Sequence, residues 1–489
     1  MKYHSCIADT GKYLIKDDSG RISLYEYFGD AVKAAGKSSK VKLNITALTE
    51  VPSHYAFVGD KTIINNISRT QWFSNYDPEH GFFENEFSLR HGNREANAGE
   101  IARELHLALR EEISDYIKNS SRVGILLSGG MDSRIVSSIL KEIQNERKSF
   151  DVYAFCWGNP ETRDPVYAKR IAGLYGWDYQ HFQITSDTLK ENIEVCADEG
   201  CFYAPKHLHA LPDVTKRVSE LGIECLLAGS YGDSIGRAEY SGVRVENLTP
   251  IRKCFRNWFR LFNQDLYEEY RKRTISDISA YHSLFGESSE AAINELDYQL
   301  HYMRNMLGTC MNILNRVTDF HQVFTRNDIV SLMWSFANKC RTNEVYKYLL
   351  GEVDPKLLDI PWARTGMKYL DDSSNPDDLP KSFHNYSEWV RNELFSHIRG
   401  LIFNGEIEKT GIFNMDQIHF IMMQNRKSKI LNGRIEEIIL WLSSLSIFLR
   451  NNDWEIDCDN PRSPEFSLAG RFETILYLWS HRLRNIKIR

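Results

Sequence analysis

Ser128, Gly129, Gly130, Met131, Asp132 and Ser133 gather two hydroxyls, two adjacent glycines and one carboxylate within six residues. Paired glycines let a backbone approach a ligand closely, and amides beside hydroxyls form a cradle for an anion. A lone acid in such a cradle suits a magnesium ion, which takes one or two carboxylates and completes its shell with phosphate oxygens and water. The chemistry implied is the gripping of a pyrophosphate by the stretch Leu127 to Ser133, with Asp132 holding the metal. Two commoner phosphate motifs are excluded, because no lysine follows the glycines as in GxxxxGK[ST] and the spacing is not GxGxxG.

The flanks show what must position this loop. Val123, Ile125, Leu126 and Leu127 form an apolar run of buried-strand length, whereas Ile135, Val136, Ile139 and Leu140 recur at helical spacing. The loop therefore sits at the carboxyl end of a strand and at the positive end of a helix dipole. The alternation extends over 98–246: a helix over 98–117, strand 123–127, helix 132–145, strand "DVYAFCWG", a helix from Asp164, strand "YQHFQIT", two helical stretches to about 221, and strand "ECLLAG". It predicts an α/β fold with a doubly wound parallel sheet and ligands at the strands' carboxyl ends. Residues 247–489 read as almost wholly helical, with an exposed loop at 371–380, and residues 1–95, with the alternating run 54–67, read as a small β-rich lead. The expected organisation is 1–95 followed by 96–489, the latter divided into the sheet (98–246) and the helices (247–489).

Composition narrows the function. A chain of 489 residues with 42% hydrophobic content can fill more than one core. A net charge of −6 argues against a nucleic-acid partner, since phosphate neutralisation needs a basic face. The nine cysteines include no CxxC pair, which points to a reducing compartment and away from a thiolate metal site. The longest apolar run, 438–449, is shorter than the ~20 residues of a membrane span, so no membrane partner and a cytoplasmic location are expected. His207 and His209 in "APKHLHALP" read as polar residues on a turn rather than metal ligands.

With these residues in view, the chain resembles the pyrophosphate-loop ATP pyrophosphatases (the adenine nucleotide α-hydrolase-like fold), and within them the branch of asparagine synthetase, β-lactam synthetase and the lasso-peptide cyclases. The resemblance implies ATP and magnesium as cofactors, activation of a carboxylate as its acyl-adenylate, and attack by an amine. "LLAGSYGDSIG" (226–236) matches the family's second loop through Ala228, Gly229, Gly232 and Asp233, which implies that Asp233 is a second metal ligand and that Gly229 and Ser230 approach the adenylate. Ser230 and Ser234 stand where the family has acids, which puts the family's proton-handling glutamate in doubt. Phe155 falls on the strand that lines the family's adenine pocket through backbone groups, followed by Asp164 and Ala168; Asp164 by itself reads as a plain helix-start residue. Asp319, His321 and Phe324 match a further family stretch in kind. In "IPWARTGMKY", Arg364 is the first and Lys368 the second candidate for the cation that offsets charge at the α-phosphorus.

The first zone departs from the glutamine-dependent members. They begin with a cysteine after the initiator Met, whereas this chain begins "MKYHSC", and only about 95 residues precede the helix at 98. The lead is therefore expected to be a remnant without glutaminase activity, with Cys6 idle. The leading expectation is an amide-forming ligase acting on a small-molecule, peptide or sugar carboxylate, with ammonia or an amine as nitrogen donor, supplied in one version by a separate glutaminase. A catalytically silent relative, or a sulfur-transfer or nucleotide-modifying enzyme of the same fold, are the alternatives.

Overall fold

A computed structural model describes residues 6–487 apart from 17–19, 38–39, 78–81, 86, 288, 370–376, 429–432 and 457–466. Residues 371–376 of the expected exposed loop, and Cys458, lie outside the described residues.

At the centre is a five-stranded sheet of β1 (Arg122–Leu126), β2 (Asp151–Trp157), β3 (Asp178–Phe182), β4 (Cys225–Ala228) and β5 (Asp319–Gln322), in the order β5-β4-β1-β2-β3. Every pairing is parallel. Successive strand residues alternate between two cores. Leu126, Phe155, Leu226 and Ala228 face one, while Ile125, Ala154, Cys156 and Leu227 face the other. Both faces are covered, which is why the inner strands β1, β2 and β4 read as apolar runs. The order reverses at β1 and β4, so their carboxyl ends flank the crevice where such sheets bind ligands.

The helix Ala98–Tyr116 begins at a capping box in which Asn97 and Glu100 satisfy each other's amides. The helix after β1 runs over Met131–Arg147. β5 corrects the reading of 247–489 as helical: its four residues lie beyond a long helical stretch and gain strand character only by pairing with β4. The alternating run 54–67 is likewise not a strand until its last residue, Ile67. Ala56, Phe57, Val58, Ile63 and Ile64 are buried in an irregular segment, where Thr62 Oγ1 donates to the carbonyls of Ile64 and Ile67 in place of a ladder.

The first zone carries a three-stranded antiparallel sheet (Ile22–Tyr25, Tyr13–Lys16, Ile67–Arg69) and helices Phe28–Ala35 and Ile45–His54. It is sewn into the rest of the chain. Strand Val41–Leu43 pairs in parallel with Trp454–Ile456, and Phe28 packs on Phe202 and Phe448. The apolar run 438–449 lies inside helix Gly433–Asn451, its residues buried in the same core. No helix among the described residues is long and apolar enough to cross a membrane.

Candidate active site

The loop after β1 is held by its own side chains. Ser128 N donates to Ser133 Oγ (3.1 Å), Gly130 N donates to Ser128 Oγ (3.1 Å), and the two hydroxyls lie 3.0 Å apart. Gly129 N donates to Asp164 Oδ1 at 3.1 Å, so Asp164 braces the loop besides starting its helix. Leu127 N donates to the Phe155 carbonyl at 2.9 Å, and the Phe155 ring is fully buried in the core. At Phe155 only backbone can line a ligand pocket. Helix Met131–Arg147 has no side-chain cap, which leaves the positive end of its dipole facing the crevice.

The second loop packs directly on the first. A Cβ on Gly229 would stand 2.6 Å from Asp132 C and Ser133 N, and one on Gly232 would stand 2.7 Å from Asp132 Cβ. Glycine is required at both positions by close approach, since no side chain fits between the loops. The chain then enters one wide helical turn, Gly232–Gly236, with Tyr231 before it in the left-handed region (φ 68°). Asp132 lies against Gly232, the residue before Asp233, so the two carboxylates come from adjacent strand ends. Loss of water, then the charge of Asp132, pushes the Asp233 carboxyl up to about 7. Loss of water also raises the Asp132 carboxyl, against the pull of Arg237. These are crowded acids short of a cation.

Arg237, which the sequence reading passed over, supplies part of that cation. Its Nη2 lies 3.2 and 3.1 Å from the two Asp132 oxygens, and its Nη1 donates to Asn343 Oδ1 at 3.0 Å. The guanidinium sits over the rings of Tyr346 and Trp362, and Tyr346 Oη donates to the Gly232 carbonyl at 2.8 Å. Arg364 also packs on Trp362 and is paired with Glu239, which is itself 4.0 Å from Arg237. Three carboxylates (Asp132, Asp233, Glu239) thus crowd against two guanidiniums. The only sequence signal for Arg237 was a basic residue four positions after Asp233.

Arg134 ties the Arg364 segment to the first loop. Fully buried, it donates to the carbonyls of Gly129, Leu357, Ile360 and Pro361, and Ala363 N donates to Gly129 O at 3.1 Å. Lys368 is directed elsewhere, bonded at 2.8 Å to Asp359 with both side chains exposed. Ser230 Oγ donates to the Met311 sulfur at 3.4 Å, and Ser234, fully buried, accepts from Gln299. Neither serine replaces the acid it stands for. Asp319 and His321 point to helix Ala98–Tyr116, bonding Tyr116 and Glu112, and Phe324 is buried; none of the three joins the crevice. Burial pushes the Cys6 thiol up to about 11, which leaves little thiolate at neutral pH.

Residues 104–308, which span both loops, match the sequence model of the asparagine synthase family. Over those residues the chain is similar to an asparagine synthase domain. Asparagine synthetase B (glutamine-hydrolysing) of Escherichia coli is 22% identical to it over 147 residues, 27% of this chain and 26% of the relative. The match thus spans about a quarter of that relative's length. Among solved structures, similarity extends to an NH3-dependent NAD synthetase from Campylobacter jejuni (13% identity, 42% of this chain and 94% of that one, TM-score 0.23). It also extends to an NMN synthetase from Francisella tularensis (10%, 45% and 94%, 0.22) and to a tRNA thiolase from Methanococcus maripaludis (18%, 45% and 78%, 0.23). Likenesses this slight bear on neither activity nor substrate. The matched residues 104–308 contain both loops of the crevice just described.

Proposed function

We propose that the crevice binds ATP with magnesium and activates a carboxylate by adenylation, after which ammonia or an amine forms the amide. The observation that carries this reading is the pair Asp132 and Asp233, set on adjacent strand ends beside an uncapped helix start and short of positive charge. Two carboxylates this close, with the nearby Glu239 paired to Arg364, suit a magnesium ion that takes its other ligands from phosphates and water. Such an ion, when bound, screens the phosphates and steadies the leaving pyrophosphate. The chain's own groups do the rest. The helix start and the Ser128–Ser133 loop orient the β- and γ-phosphates, so the substrate carboxylate oxygen attacks the α-phosphorus as the bond to pyrophosphate breaks. Arg237 and Arg364, both against Trp362, meet the negative charge that grows there. The amine then attacks the acyl carbon and AMP leaves.

A second reading, a silent relative, is favoured by Arg237 lying on Asp132 and by Ser230 facing a thioether. One experiment separates the two. Carboxylates (aspartate, uronic acids, peptides) are offered with ammonium, ATP and magnesium, and the nucleotide products are resolved by chromatography. AMP and pyrophosphate, with Asp132→Ala losing magnesium-dependent ATP binding, is the expected outcome. ADP and phosphate would overturn adenylation, and undiminished magnesium-dependent ATP binding by Asp132→Ala would remove the loop from the mechanism.

A further inference from the structure

Helix Leu468–Lys487 turns an apolar face outward. Leu468, Phe472, Ile475, Leu476 and Trp479 are each 48–72% exposed, and at about 100° per residue they fall within an arc of ~100° on one side. The opposite side does the packing. Gly470 abuts the Phe259 carbonyl and Gln417, Thr474 is fully buried and accepts from Gln417 at 3.0 Å, and Tyr477 meets the rings of Trp258 and Phe259. A surface helix ordinarily carries its charges outward, yet none of the outward residues over 468–479 is charged. An apolar face of this extent marks a docking surface.

The edges of that face are basic. On one edge Arg260 stands beside Gly470 and bonds only the neutral Gln264, and Arg256 neutralises Glu473, the one acid of 468–480, at 2.7 Å. On the other edge Arg471 lies over the Phe420 ring. Arg256 and Arg260 belong to the run "RKCFRNWFRLF" (252–262), and no acid occurs from Asn247 to Gln264. Ile251, Phe255 and Phe259 are buried and anchor this stretch, which leaves Arg252, Lys253 and Arg256 exposed. A chain of net charge −6 thus gathers cations beside its most apolar exposed face.

The charges choose the occupant. A second copy of the chain would bring basic edge against basic edge, because both edges carry a cation. An acidic lipid surface instead offers anionic headgroups to the edges and an acyl boundary to the face, and Trp and Phe rings suit that boundary. We propose that helix Leu468–Lys487 docks the protein on an anionic lipid surface, with Phe472, Ile475 and Trp479 entering the headgroup boundary and the basic edges meeting the headgroups. No helix among the described residues is long and apolar enough to cross a membrane, so the contact lies in the plane of the surface. The expectation of no membrane partner rested on span length, which a helix lying flat does not need.

The test is sedimentation of the full chain, without nucleotide, with vesicles of phosphatidylcholine alone or with about a third phosphatidylserine. Binding should be at least about tenfold tighter to the vesicles with phosphatidylserine and should weaken as salt rises. The double variant Phe472→Ser/Trp479→Ser should weaken it at least about tenfold, with melting and Mg-ATP binding unchanged because both side chains are exposed. Should that variant fail to fold, Arg260→Gln, which removes one unpaired charge, should weaken binding about fivefold. No preference for acidic vesicles, or binding unaffected by these substitutions, overturns the proposal. So does a dimer, seen by sedimentation velocity without vesicles, that Phe472→Ser/Trp479→Ser dissociates, since the face then serves a second copy. No nucleotide enters the vesicle assay, so either result leaves the adenylation reading to its own product assay.

Discussion

Gly229→Ala tests whether the two loops must touch. The new methyl would lie 2.6 Å from Asp132 C and Ser133 N and 2.7 Å from Asp132 O, all backbone atoms that no rotamer change can move. Ordinary carbon contacts begin near ~3.5 Å, so the loops would part by about 1 Å. Overpacking of this kind costs about 1–3 kcal/mol of stability. A displacement of ~1 Å between groups that position a reaction costs about a hundredfold in rate. The expected outcome is a folded protein, somewhat less stable to denaturant, whose magnesium-dependent ATP binding falls at least about tenfold. Gly173→Ala is the matched control: its methyl meets nothing within 4 Å inside helix Arg163–Tyr175, so it should be neutral or stabilise by about 0.5–1 kcal/mol. Calorimetric titration of both variants decides the matter. If Gly229→Ala binds Mg-ATP as the parent does, close contact of the loops is not what builds the site.

Acid should weaken the fold through buried imidazoles: burial pushes His54 and His209 down to about 3, so below pH ~6.5 the unfolded chain takes protons that the folded one refuses. Stability is complete above that pH and lost as pH falls, by about 2 kcal/mol per histidine at pH 5, and His54→Phe should flatten the slope of denaturation free energy against pH; an unchanged slope would show that His54 is not responsible. Arg134→Lys offers fewer donors to four carbonyls and should cost about 2–4 kcal/mol while loosening the segment that carries Arg364, so unaltered melting and unaltered turnover would remove Arg134 as its strap.

What the sequence determined by itself was whatever local pattern controls. The switch from an apolar run to helical spacing at Ser128 placed the loop at a strand end, and the glycine pairs and single acids of 128–133 and 229–233 marked the two loops that meet. Such features depend on neighbours within a few residues, so they survive without the rest of the fold. The tertiary structure alone decided who meets these residues. Arg237 reaches Asp132 across 105 positions, Asp164 reaches the Gly129 amide across 35, and Arg134 reaches carbonyls more than two hundred residues away. Asp319–Gln322 became a strand because β4 offered an open edge, not because its own residues demanded one. Val41–Leu43 found Trp454–Ile456 from the opposite end of the chain in the same way. Arg364 and Lys368 differed little on paper; burial of Trp362 and the charge of Glu239 drew the first toward the crevice, while Asp359 held the second at the surface. Charge neutralisation and burial are properties of the assembled chain, and no periodicity in the sequence encodes which distant partner will supply them.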